Sequence, residues 1–222
     1  MRTNSALRAA GRADLSGRWN EAAMLCFVYV VICGIFSCTT QGLVNMAVNG
    51  LGGILGLLLL PMSWGYTMAF VTNHRKEDND PFDLGCLFSP YHDFVRLLTT
   101  GILHYIYILL WSLLLIIPGI VKTLSYAMTP YILKDRPDLK NNGAIELSMA
   151  MMYGHKADLF LLYLSFIGWA LLCIPTLGIG FFWLDPYISA TLANFYEDVK
   201  HDFENGGTMN GGFASSTDNY QK

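Results

Sequence analysis

Residues 97–117 read L-L-T-T-G-I-L-H-Y-I-Y-I-L-L-W-S-L-L-L-I-I, and Pro118-Gly119 joins them directly to a second apolar stretch, residues 120–133. Crossing about 30 Å of hydrocarbon takes about 20 predominantly apolar residues, so the first stretch is long enough to span by itself. A single helix through both would be roughly 55 Å long at 1.5 Å per residue, far more than a bilayer accommodates. The chain is therefore expected to turn or kink at Pro118-Gly119. That places a helical hairpin in lipid and predicts an all-α, polytopic transmembrane bundle.

The same pattern extends outward. Residues 22–40 and 51–71 are two further runs of spanning length. Near the other end, residues 159–174 meet Pro175-Thr176-Leu177-Gly178 and are followed by residues 181–195, which predicts a second tight hairpin. The two proline hairpins echo each other. Trp111-Ser112-Leu113-Leu114-Leu115-Ile116-Ile117-Pro118 matches Trp169-Ala170-Leu171-Leu172-Cys173-Ile174-Pro175, and Thr129-Pro130-Tyr131-Ile132 matches Asp185-Pro186-Tyr187-Ile188. About six spans in three hairpins are expected. Residues 120–133 and 181–195 are short for a crossing, about 14 to 15 residues against a minimum near 17, and each contains a proline. The alternative is four spans with two re-entrant pieces, allowed where neighbouring helices cover the freed backbone groups.

Composition agrees with lipid as the solvent. Of 222 residues, 53% are apolar and only 14% charged, and the apolar residues come in long uncharged runs. The net charge of −3 is small and the acidic residues are scattered, which argues against nucleic acid as a partner. Cys26, Cys33, Cys38, Cys86 and Cys173 contain no C-x-x-C pair, so neither a disulfide framework nor a zinc site is expected.

Basic residues collect in cytoplasmic loops, and this tests the span count. They fall in the N-terminal arm (Arg2, Arg8, Arg12, Arg18), the second loop (Arg75, Lys76, Arg96), the fourth loop (Lys134, Arg136, Lys140, Lys156) and the tail (Lys200, Lys222). Only Lys122 falls on the other side, and residues 41–50, 118–119 and 175–180 carry no charge. The expected division is a basic cytoplasmic arm at 1–20, a transmembrane domain at 21–200 and a disordered cytoplasmic tail at 201–222. The arginines before residues 22–38 also outline a signal peptide, but bulky Ile35 and Phe36 stand where small residues are wanted, so a retained first helix is expected. Residues 142–153 read as an amphipathic helix with Ile145, Met149 and Met152 on one face, capped by Asn141 or Asn142 and lying along the inner interface. Residues 80–94, with Phe82, Leu84, Leu87, Phe88 and Tyr91 among polar neighbours, read as a second interfacial segment.

Residues 111–126 (W-S-L-L-L-I-I-P-G-I-V-K-T-L-S-Y), 142–156 and 161–169 (L-L-Y-L-S-F-I-G-W) resemble the bacterial integral-membrane family called domain of unknown function 975. Ala13-Asp14-Leu15-Ser16-Gly17-Arg18-Trp19 is similar to that family's N-terminal box, and Pro186-Tyr187 with Phe195-Tyr196 to its closing one. The resemblance covers most of the chain up to about residue 200. It implies a helical protein of the bacterial inner membrane and, because the family has no established activity, implies no mechanism. Where the family more often places a hydrophobic or small residue before the last Pro-Tyr, this chain has Asp185.

Ionisable residues at membrane depth are costly and are treated first as functional candidates. Asp185 could bind a cation, carry a proton or pair with Lys122; the plainer reading is a helix cap near the outer interface. For Lys122 the plainer reading is a side chain snorkelling to the outer surface. His104 could relay protons, but a lone histidine is more often a hydrogen-bonded structural residue. Gly52 and Gly56 form a small-x-x-x-small face for close helix packing. The sequence contains no H-E-x-x-H, no G-x-S-x-G, no Walker lysine loop and no carboxylates at metal spacing, so no enzyme and no cofactor are expected. The expected role is structural or accessory, with the lipid bilayer as partner and a second copy or another membrane protein as further partners. The alternative is a small transporter or lipid-handling protein built around the Pro/Gly-interrupted helices.

Overall fold

The computed structural model describes residues 2–46, 59–76, 84–114, 116–139, 142–176 and 178–205. These residues form helices throughout: α1 (Asn4–Asp14), α2 (Trp19–Met46), α3 (Leu60–His74), α4 (Phe94–Leu114), α5 (Ile116–Tyr126), α6 (Thr129–Asp135), α7 (Asn142–Met151), α8 (Lys156–Cys173) and α9 (Phe181–Glu204), with short 3-10 turns at Leu84–Leu87 and Ser89–Asp93. Among the described residues, the stretches Trp19–Cys38, Gly85–Leu113 and Lys156–Cys173 are long and apolar enough to cross a membrane. Their outward faces carry large apolar side chains in the open, among them Phe27 and Ile35 on α2, Leu109 and Leu113 on α4, and Leu171 and Leu172 on α8, with Leu113 83% exposed. Continuous apolar surface of this extent is unstable against water and suited to lipid.

The first reversal is where the sequence suggested, shifted by a few residues. α4 ends at Leu114 and α5 begins at Ile116, so Pro118 and Gly119 lie inside the first turn of α5. Proline is tolerated there because the first N–H groups of a helix have no intrahelical acceptor. The pairing is antiparallel: Gly119 faces Ser112, Lys122 lies over Trp111, and Tyr126 packs against Tyr107 and His104. Gly119 permits the approach, since a Cβ there would stand 2.9 Å from the Ser112 Cα. The returning segment then breaks at Ala127 and Met128 before α6, with Thr129 Oγ1 donating to the Tyr126 carbonyl at 2.7 Å. The second reversal occupies residues 174–180 between α8 and α9; Gly178 takes φ +85°, and its N–H donates to the Cys173 carbonyl at 3.2 Å.

α3 occupies the centre, with residues from all around its circumference buried, including Met62, Trp64, Tyr66, Phe70 and Val71. A helix apolar on every side belongs inside a bundle. Residues 51–58 of the second apolar run lie outside the described residues, as do Gly52, Gly56, Asn141, residues 77–83, residues 47–50 of the 41–50 connection and residues 206–222. The cysteines within the described residues are all free.

Three features go beyond the sequence expectations. The basic N-terminal arm contains a packed helix: α1, capped by Thr3 Oγ1 accepting from the Ala6 N–H at 3.3 Å, docks on α9 through buried Leu7 and Gly11. The capping and the i, i+4 spacing were present in the sequence, but Gly11 gave no apolar signal. Second, α7 is buried on more than the one face its apolar spacing marked. Ala144 and Ser148 add a second buried face to Ile145 and Met151, and the Ser148 hydroxyl donates to the Ser125 carbonyl at 2.9 Å, wedging α7 against α5. Asn142 lies in the helix and accepts from the Tyr107 hydroxyl at 3.0 Å. Third, the Lys122 ammonium lies 3.9 Å from Met149 Sδ of α7 and within electrostatic reach of Lys156. Six spans would place Lys122 across the bilayer from residues 134–156, whereas here it lies against α7.

Candidate functional site

Asp185 is carried on the first turns of α9, next to Pro186, which has no N–H to continue the helical ladder. It does not cap the helix: the N-cap is Gly180, without a side-chain hydrogen bond. Its Oδ2 accepts from the Tyr66 hydroxyl of α3 at 2.5 Å and from the Cys26 thiol of α2 at 3.8 Å. At 2.5 Å the Tyr66 contact is at the short end of the range for O–H···O bonds. Tyr66 is 5% exposed and fixed on both faces, stacked on Tyr29 at 4.9 Å and edge-on to Phe70 at 5.2 Å. Three helices thus meet at one carboxylate.

Tyr29 also lines a cleft of about 610 Å³ between α2, α3 and α4, bounded by Cys33, Leu60, Ser63, Tyr105 and Leu109. The cleft is mostly apolar with a few hydroxyls, the usual make-up of a small-molecule pocket. The stacked rings of Tyr29 and Tyr66 lie between it and Asp185.

The other two candidates lie apart from it. Lys122 places its ammonium 4.8 Å from the Trp111 ring centroid and 5.9 Å from that of Tyr126, a cation–π arrangement. His104 is enclosed by Trp64, Tyr105 and Tyr126 at 5.7 to 5.9 Å, and its buried Nδ1 has no hydrogen-bond partner among the described residues. Tyr126 therefore joins Lys122 and His104. The Asp185 to Lys122 pair considered from sequence is not formed.

The densest polar cluster involves none of the candidates. Asp135, at the end of α6, has a side chain 9% exposed. It accepts from Arg75 Nη1 and Nη2 at 2.7 Å, Lys200 Nζ at 2.8 Å and the Tyr196 hydroxyl at 2.9 Å, while Arg75 Nε donates to Glu197. Burial alone would push this carboxyl up; the hydrogen bonds from Arg75, Lys200 and Tyr196 outweigh it and hold the group at about 2. Beside it, Asp14 accepts from Asn194 and pairs with His74 Nδ1 at 2.7 Å. That hydrogen bond, stronger than the opposing effect of burial, raises the His74 pKa. The partners of Asp135 lie 60 to 65 residues away along the chain, so no local pattern marked it. Among the described residues no group of three His, Cys, Asp or Glu side chains could hold a metal ion.

The model of a family described as protein of unknown function (DUF975) matches residues 113–202, in agreement with the resemblance read from the sequence. The match runs from the end of α4 through most of α9 and includes Asp185, Lys122 and Asp135, but neither Tyr66 nor Cys26. No curated protein and no solved structure matches this chain.

Proposed function

We propose that the chain is a multi-pass integral membrane protein of a bacterial inner membrane, with a structural or accessory role, no enzymatic activity and both termini in the cytoplasm. One observation carries this reading: the outward faces of α2, α4 and α8 are apolar, while ion pairs joining α1, α3, α6 and α9 gather at one end. The Arg2 N–H donates to Asp198 at 3.1 Å, so the two described ends of the chain share a side, and the basic residues around them favour the cytoplasmic one. Alkaline carbonate extraction of cell membranes is expected to leave the protein in the pellet. Single cysteines at Ser5, Thr176 and Asn205 in a cysteine-free background then test sidedness. Only Thr176→Cys is expected to label from outside; labelling of Ser5→Cys or Asn205→Cys in intact cells counts against the arrangement.

A second reading, a small transporter or lipid-handling protein, is favoured by the Asp185–Tyr66 bond beside the 610 Å³ cleft. Proteoliposomes of wild type and Asp185→Asn decide it. Flux in wild type that is lost in the variant, with the fold intact, supports transport; no flux in either sinks this reading.

A further inference from the structure

Basic side chains at the polar end of the bundle mostly have acidic partners: Arg2 with Asp198, His74 with Asp14, Arg75 with Asp135 and Glu197, and Lys200 with Asp135. Arg8, Arg12 and Arg18 do not. Among the described residues none of the three forms an ion pair, and Asp14, on the same element, is already engaged by His74 and Asn194.

Arg18 is the extreme case. It is only 8% exposed and makes one hydrogen bond, from Nη2 to the Asp14 carbonyl at 3.0 Å; its buried Nε and Nη1 have no partner, and neither does the buried Nε of Arg8. Burying a guanidinium without an anion or full hydrogen bonding is strongly unfavourable. Arg8 and Arg12 meet one ring, and the residue that follows Arg18 packs on it. The Tyr187 hydroxyl donates to the Arg8 carbonyl at 3.2 Å, the Arg12 guanidinium lies 5.7 Å from the ring centroid, and Trp19, which follows Arg18, packs on the same ring at 6.2 Å.

The place identifies the anion. Trp19 is the first residue of the apolar stretch Trp19–Cys38, so the arginines lie where the chain enters lipid, flanked by the aromatic pair typical of that boundary. Phosphate groups of lipid headgroups occupy this level of a bilayer. Several unpaired cations favour a headgroup with net negative charge over one that carries its own ammonium.

We propose that Arg8, Arg12 and Arg18, held around Tyr187 and Trp19, form a binding site for the phosphate of an anionic phospholipid. The site rests on the membrane reading above and adds the lipid class. The test is thermal unfolding of the full chain in neutral detergent, titrated with dioleoyl phosphatidylglycerol, dioleoyl phosphatidylcholine or inorganic phosphate. Phosphatidylglycerol is expected to raise the midpoint saturably and the other two are not. Arg8→Gln and Arg12→Gln should each raise the half-saturating concentration about fivefold, with Arg136→Gln, whose partner is Asp138, as the unaffected control. The partly and more exposed positions 8 and 12 keep the test independent of whether Arg18→Gln folds. Equal shifts with phosphatidylcholine, equal shifts with inorganic phosphate, or unchanged half-saturation in both variants would each overturn the site. A protein that stays folded without detergent and responds to neither lipid would instead overturn the membrane reading beneath it.

Discussion

Asp135→Asn is expected to destabilise the protein by about 2 to 4 kcal/mol, read as a lower unfolding midpoint in detergent. The carboxylate is the acceptor on which Arg75, Lys200 and Tyr196 converge, and the amide that replaces it carries no charge to offset theirs. The loss stays below the upper end for a fully buried pair because the Arg75 and Lys200 side chains, 39% and 31% exposed, recover some water. The pH dependence has a definite sign. A carboxyl held at about 2 when folded, against about 3.9 in an unfolded chain, contributes stability above pH 4 that disappears as the pH falls toward 2. Wild type should therefore lose stability more steeply than Asp135→Asn over that interval. Parallel curves for the two proteins would show that Asp135 is not the hub of this end of the bundle.

Gly11→Ala tests the docking of α1 by a reversal of sign. Intrinsic helix propensity favours alanine by about 1 kcal/mol in a helix interior. At Gly11, however, a Cβ would stand 2.8 Å from the Thr191 N and 2.9 Å from its Cα, and α9 backbone cannot swing aside as a side chain can. α1 must lift away, weakening the burial of Leu7 and the Arg2–Asp198 pair, for a net loss of about 2 to 3 kcal/mol. The same substitution at Gly168 of α8, where nothing lies within 4 Å, should be neutral or stabilising. Faster proteolysis within residues 4–14 of Gly11→Ala would locate the damage; wild-type resistance together with an unchanged midpoint would contradict the packing.

The helical class, the two proline reversals and the membrane-length runs were legible because hydrophobic length and proline placement act locally. Long apolar stretches have few alternatives to a helix in lipid, and Pro118 and Pro175 each lie within a few residues of a real reversal. Asp185 was visible as a lone carboxyl in an apolar run, but its Tyr66 and Cys26 donors were not, since they lie 119 and 159 residues away. Asp135 was passed over for the same reason; beside Lys134 and Arg136 it looks like an ordinary loop charge. The second buried face of α7 was missed because Ala144 and Ser148 are too small to register in a hydrophobic pattern, yet being small is what lets that face approach α5. Lys122 was read by a rule about loops, which says nothing of its contacts with the rings of Trp111 and Tyr126.

The docking of α1 on α9 has a consequence for the order in which the protein is made. The surface that receives α1 belongs to α9, which is synthesised well after it. Until residues 181–204 exist, Leu7 has no groove, Arg2 has no Asp198 and Asp14 has no Asn194, while α3 lacks one wall of its enclosure. A nascent chain interrupted anywhere before α9 therefore leaves α1 undocked, and synthesis of residues 181–204 is the event that supplies its surface.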